Sequence, residues 1–170
     1  MNAADTNTAA AFLAEAGRQL EECHQKVRHC LGQLSEEQAW WRAEAGLNSI
    51  ANRVLHLTGN VTQRIASLIG GDPDHRNRDL EFAERRVIPV GELLARFEVA
   101  IRRAEVVLSE LPPERLHETR CYRMLRGEVE ATLLVLILQT LTHLAGHTQE
   151  IITLTRLQLG SRYRFLQTPA

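Results

Sequence analysis

Two histidines one helical turn apart, in the run His143-Leu144-Ala145-Gly146-His147, have the best spacing for chemistry in this sequence. Residues four apart on an α-helix sit about 40° apart and one turn up, so both imidazoles can converge on one point. Neutral imidazole is the commonest protein ligand for zinc, nickel and similar ions. Glu150 falls on the same face, three residues beyond His147. It suits a further ligand, a base, or an acceptor for an imidazole N–H. The pair also has a plainer reading as core histidines bonded to neighbouring helices, because H-x-x-x-H recurs by chance. Leu133, Leu134, Ile137, Leu141, Leu144, Ile151 and Ile152 make this segment a central helix, where polar residues are costly to bury unpaired. From the residues alone, the two readings carry similar weight.

A third imidazole comes from His56, in His56-Leu57-Thr58-Gly59-Asn60. At about 100° per residue, Asn52, His56, Asn60 and Gln63 share one helical face. The apolar positions Leu47, Ile50, Val54, Leu57, Val61, Ile65 and Leu68 face largely the other way. A polar face on such a helix is usually solvated surface. Amides around a histidine, with small Gly59 beside it, equally suit the wall of a polar cleft, and Asn60 and Gln63 are the candidate cofactor-binding residues. Two facing helices giving one and two histidines would hold an ion with three ligands. An open fourth position is the arrangement of catalytic zinc, which acidifies a bound water or binds a thiolate.

Other reactive side chains are weaker candidates. Cys23 and Cys30 lie on an apolar helical stripe and read as buried small hydrophobes. His24 and His29 are five apart, a poor spacing for shared chelation. His117 and Cys121 lie in a segment without a helical stripe, and His75 in a charged loop. Of Trp40 and Trp41, one reads as a core anchor and the other as lining for a pocket or partner surface.

The elements that must position these residues are punctuated by proline and glycine. The stripe Ala9, Leu13, Ala16, Leu20, Cys23, Val27, Cys30 and Leu34 predicts a helix over about 8–31, ending near Gly32. A second helix is expected from about Asn48 to Ile69, capped by Asn48 or Ser49 and stopped at Gly70-Gly71. A third follows Pro89, with Val90, Leu94, Phe97, Ile101, Ala104, Leu108 and Leu111 as its stripe and Pro112-Pro113 as its end. The fourth is expected from about Gly127 to Leu159. No strand-like alternation is read anywhere. Four amphipathic helices predict an all-α, four-helix-bundle domain over 1–170. A faint repeat, Leu31-x-x-Leu34-Ser35-Glu36-Glu37-Gln38 and Leu108-x-x-Leu111-Pro112-Pro113-Glu114-Arg115, predicts a short helical turn after the first and third helices. The segment from Gly70 to Pro89 is dense in charges of both signs and reads as a solvated connection, with length enough, and Phe82, to cover one end of the bundle.

Composition sets the outer limits. The chain has 170 residues, 44% hydrophobic and 24% charged, and a net charge of −1, so it lacks a basic field for nucleic acid or an anionic membrane. The longest aliphatic run, 131–138, is far short of the roughly 20 residues of a membrane span. No basic region precedes an apolar block at the start, and three cysteines without Cys-x-x-Cys fit a reducing compartment. The expectation is a soluble, cytoplasmic protein.

His56 in its His-Leu-Thr-Gly-Asn context, with His143 and His147, resembles the DinB/YfiT-like superfamily of four-helix proteins. The likeness covers most of the chain from about Leu34. The stretch Arg78-Asp79-Leu80-Glu81-Phe82 and the tail Phe165-Leu166-Gln167-Thr168-Pro169 also look like an uncharacterised subgroup of it. The resemblance implies a divalent-metal site, zinc or nickel foremost, built from His56, His143 and His147. It further implies a small-molecule substrate, homodimers as in many members, and for some relatives transferase activity with a low-molecular-weight thiol. One departure stands out. Members often carry x-Gly-Gln-Ile after the last histidine, where this chain has Thr148-Gln149-Glu150-Ile151, so Glu150 brings charge beside the ion. A non-catalytic metal-binding or stress-associated module is the alternative.

Overall fold

The apolar stripe of the first segment folds as α1 (Ala3–Leu31), in a computed structural model that describes residues 3–124 and 127–166. Leu13, Ala16, Leu20, Cys23, Val27 and Cys30 of that stripe are all buried. Ser35 and Gln38 form a reciprocal capping box that starts the short α2 (Glu36–Trp40), the turn expected from the repeat. Trp40 is the core anchor of its pair, its indole N–H donating to the Ile88 carbonyl at 3.0 Å, while Trp41 is exposed.

Ser49 caps α3 (Ile50–Val61) through a second capping box with Asn52. The helix does not stop at Val61. It widens into a π-helical segment over Thr62–Ser67, with Leu68 N–H bonding to the Gln63 carbonyl and Gly70 N–H to that of Ile65. Such widened turns are rare and cluster at functional sites, because they re-aim the side chains they carry. Here those side chains include Gln63 and Arg64.

The segment after Gly70 is not a plain solvated connection. It contains α4 (Arg78–Ala83), capped by Asn77 and laid against α3. Then α5 (Val90–Glu110) buries Phe97, Ile101, Ala104 and Leu108 as its stripe requires, and the 3₁₀ turn Pro113–His117 follows, the second turn of the repeat.

The largest departure from the helical expectation is an antiparallel hairpin of β1 (Thr119–Met124) and β2 (Gly127–Thr132). Its signal is present in Glu128-Val129-Glu130-Ala131, which alternates polar and apolar residues with period two. Tyr122 pairs with Val129 and Arg120 with Ala131, and this face packs inward while Cys121, Glu128 and Glu130 are exposed. The last helix therefore begins later than Gly127. Thr132 caps α6 (Leu133–Leu159) by accepting from Val135 N–H, and Gly160, at φ 55, ends it. That positive φ suits glycine.

Helix α1 packs on α5 and α6, and α3 packs on the same two, so the molecule is mostly helical around one apolar cluster drawn from all four. No helix among the described residues is long and apolar enough to cross a membrane. Of the tail that carries part of the family likeness, Gln167, Thr168 and Pro169 lie outside the described residues.

Candidate metal centre

The polar face of α3 turns inward, toward α6 and α4. His56 is only 4% exposed. Its ring centroid lies 5.0 Å from that of His143 and 5.1 Å from that of His147, and the α6 pair are 4.5 Å apart. One nitrogen from each ring falls within 4.8 Å of the other two, a group that could hold a metal ion. For comparison, nitrogens around a tetrahedral ion at ~2.0–2.1 Å stand about 3.3 Å apart, so small rotamer adjustments would bring all three into coordination.

Two rings have their far nitrogen anchored. His56 Nδ1 lies 2.8 Å from Glu81 Oε2, and His147 Nδ1 lies 2.6 Å from Glu150 Oε2. A carboxylate only accepts, so each Nδ1 carries the proton and each Nε2 presents its lone pair. His56 Nε2 and His143 Nε2 meet at 2.9 Å. With the His56 lone pair facing inward, His143 donates an N–H across this contact, and that proton must leave when an ion is bound. The donor set and its outer acceptors fit a divalent metal ion.

Glu81 is the residue that sequence reasoning missed. Almost fully buried, it takes two bonds from Arg76, Nε to Oε1 at 2.7 Å and Nη2 to Oε2 at 2.9 Å. Arg76 also donates to Gln63 Oε1 at 3.0 Å, and Gln63 donates to Asp74 at 2.8 Å. Gln63 thus braces the arginine. Phe82 packs its ring 4.7 Å from that of His56. The signal available beforehand was an acid and an aromatic adjacent in a charge-dense loop, Glu81-Phe82, which the mixed charges around it concealed. Two features of α3 let α4 approach so closely. The buried Asn52 amide donates to the Glu81 and Glu84 carbonyls, at 2.9 and 3.2 Å. Gly59 leaves room where a Cβ would stand 2.0 Å from Glu81 Oε1.

Burial keeps the His143 and His56 rings neutral. It pushes His143 down to about 4, helped by the nearby Arg76 and Arg64 guanidinium groups and by the adjoining imidazoles, which disfavour a second positive charge in the cluster. Burial likewise lowers His56, against the opposing pull of Glu81. For Glu81, burial opposes ionisation, but the hydrogen bonds from Arg76 and His56 prevail and hold the carboxyl below its usual range. Glu150 is lowered in the same way, burial being outweighed by His147 and by Arg53, whose Nε donates at 3.0 Å.

Of the three roles open to Glu150 in the sequence, the hydrogen bond to the His147 ring is the one the geometry displays; its side chain is 49% exposed. Asn60 is buried beside His56, and its Oδ1 has no hydrogen-bond partner. His24 is a buried histidine facing Glu21 and Phe97, and His29 contacts the Arg164 carbonyl, both away from the cluster. Cys23 and Cys30 are buried, with thiols pushed up by burial, as expected of packing residues.

A cleft of about 700 Å³ opens beside the cluster, with His56, His143, Asn60, Gln63, Arg64 and Arg76 in its wall. No curated protein matches the chain significantly. A family model does match, over residues 7–170, so nearly the whole chain belongs to the family described as "Protein of unknown function (DUF1572)".

Proposed function

We propose that the chain is a metal-binding four-helix bundle of the DinB/YfiT-like type, with His56, His143 and His147 as the ligands of one divalent ion. The observation that carries this reading is the convergence of three rings from two helices, within 4.8 Å, with Nδ1 protons held by Glu81 and Glu150. Hydrogen bonds satisfy buried core histidines without needing a third imidazole or paired carboxylate anchors, so the pattern favours ligation over simple packing.

In this reading the protein is a metal-dependent transferase acting on a small molecule in the cleft, with water or a low-molecular-weight thiol as nucleophile. Held by His56, His143 and His147, a divalent ion would supply Lewis acidity that lowers the pKa of a water or thiol nucleophile. The chain's own residues do the rest. Glu81, fixed by Arg76, holds the Nδ1 proton of His56 and keeps its Nε2 turned inward. Glu150 does the same for His147 and is a positioning residue. Asn60 offers an unpaired carbonyl oxygen to a ligand donor group. Homodimerisation belongs to the same proposal, supported by the apolar side chains Leu134, Val135 and Leu138 that α6 leaves exposed.

The test of turnover is a screen of the zinc- and nickel-loaded protein with cellular thiols and electrophilic probes. Thiol consumption that depends on the metal supports a transferase. Metal-loaded protein that is inert across thiols and in hydrolysis assays supports the non-catalytic binding module.

A further inference from the structure

The cleft beside the histidines is lined by four arginines, Arg64, Arg76, Arg78 and Arg123, and by a single acid, Asp79. These charges are not equivalent. Arg76 is spent on Glu81, in a buried two-bond pair. Arg78 lies over the Phe82 ring at 4.8 Å, with Asp79 next to it in the chain. Arg64 and Arg123 have no ion-pair partner among the described residues.

Arg64 is the better placed of the two. It comes from the widened π-helical turn after α3, and its guanidinium stacks on the Tyr122 ring at 4.1 Å. The Tyr122 hydroxyl donates to Gln139 Oε1 at 2.9 Å, which fixes the ring that supports the arginine. One terminal nitrogen, Nη1, is buried without an acceptor. About one turn earlier on the same helix Asn60, more than nine-tenths buried, has an equally unpartnered Oδ1. A buried guanidinium N–H and a buried amide oxygen, each without a partner, cost free energy unless a ligand completes them.

We propose that this cleft binds the oxyanion group of a small molecule, a carboxylate or a phosphate, with Arg64 as its principal holder and Arg123 as a second cation at the mouth. A planar guanidinium matches either anion through two parallel bonds, and stacking on Tyr122 lowers the side-chain entropy lost on binding. The Asn60 oxygen accepts from an O–H or N–H of the same molecule. The π-helical turn and the β-hairpin thereby acquire a common purpose, since together they hold Arg64 over Tyr122. This inference deepens the metal-centre reading by naming the class of substrate. It depends on that reading only in calling the bound molecule a substrate, because none of the anion-holding residues is a proposed metal ligand.

The experiment is calorimetric titration of the full-length, metal-free protein with inorganic phosphate and, separately, with succinate, at constant ionic strength set by sodium chloride. Saturable one-to-one binding of at least one probe is expected, with affinity falling tenfold or more in Arg64→Gln and by a smaller factor in Arg123→Gln. Asn60→Asp, which puts a negative charge into the cleft, is expected to weaken binding at least as much as Arg64→Gln. Should Arg64→Gln lose its helical circular dichroism, Arg123→Gln and Asn60→Asp carry the test. Phosphate binding alone identifies a phosphoryl-bearing ligand, and succinate binding alone a carboxylate. Absence of saturable binding with both probes, or wild-type affinity in the variants, overturns the proposal. Zinc titration of the same samples keeps the two claims apart: anion binding without zinc binding leaves the cleft standing and removes the metal centre, and zinc binding without anion binding does the reverse.

Discussion

His56 and Glu81 stand 25 residues apart in the chain and meet at 2.8 Å, with Arg76 closing the other side of the carboxylate. Glu81 thereby decides which nitrogen of His56 is free, and α4 becomes part of the candidate centre. The equivalent contact on α6, His147 to Glu150, is a local one within a single helix turn.

This difference in burial ranks the two acids. Replacing an outer acceptor of a ligating histidine costs roughly 10–100-fold in metal affinity. Glu81→Gln is expected to fall in that range, since it also breaks the Arg76 pair. Glu150→Gln, at a half-exposed site, should cost only a few-fold. Competition with a chelating dye measures both. Equal losses, or a greater loss for Glu150→Gln, would contradict the ranking.

Gly59→Ala separates helix propensity from site geometry. In an ordinary helix interior alanine gains about 1 kcal/mol over glycine. Here the added Cβ would lie 2.0 Å from Glu81 Oε1, and the carboxylate is pinned by Arg76 and His56. Loss of both metal affinity and melting temperature is therefore expected. A variant more stable than wild type with unchanged metal affinity would show that α4 does not press on α3.

Acid should destabilise the metal-free protein over a defined interval. An unfolded histidine titrates near 6.5, whereas burial holds His143 down to about 4 in the folded chain. Between those values the unfolded state binds a proton that the folded state refuses, so stability falls as pH falls through the interval. His143 alone contributes at most about 3 kcal/mol to that loss. His56 shifts in the same direction, and Glu81 adds to the loss as pH falls further, toward its own lowered range. Urea denaturation at successive pH values should show the trend, partly flattened in His143→Gln. Identical slopes in the variant and wild type would refute the assignment.

The legibility of this chain in its sequence follows physical range. The three histidines and the long helices were readable because period 3.6 is a local property, and the four-residue spacing of His143 and His147 fixes their geometry outright. The Ser35–Gln38 capping-box spacing and the cap at Asn48 or Ser49 were equally local signals; Ser49 is the cap, in a box with Asn52. Glu81 was not readable. Its role depends on where a loop lands, and nothing in the charge pattern of 70–89 distinguishes the buried acid from the exposed ones around it. The hairpin was missed for another reason. Its alternation is carried by Val129, Ala131 and Tyr122 alone, and the aliphatic run beginning at Ala131 drew the helix start too early. Both omissions fall on elements that border the cleft, where packing with distant segments outweighs local propensity.

The central claim is that three imidazoles share one ion. Titrating the metal-free protein with cobalt(II), while following its visible absorption, tests it most directly, because intensity reports coordination number and the band position reports nitrogen ligands. One equivalent per chain is expected in wild type, with a low-coordinate spectrum that disappears in His56→Ala, His143→Ala and His147→Ala alike. Failure to take up stoichiometric ion in wild type, or a spectrum that survives the loss of His56, would contradict the account.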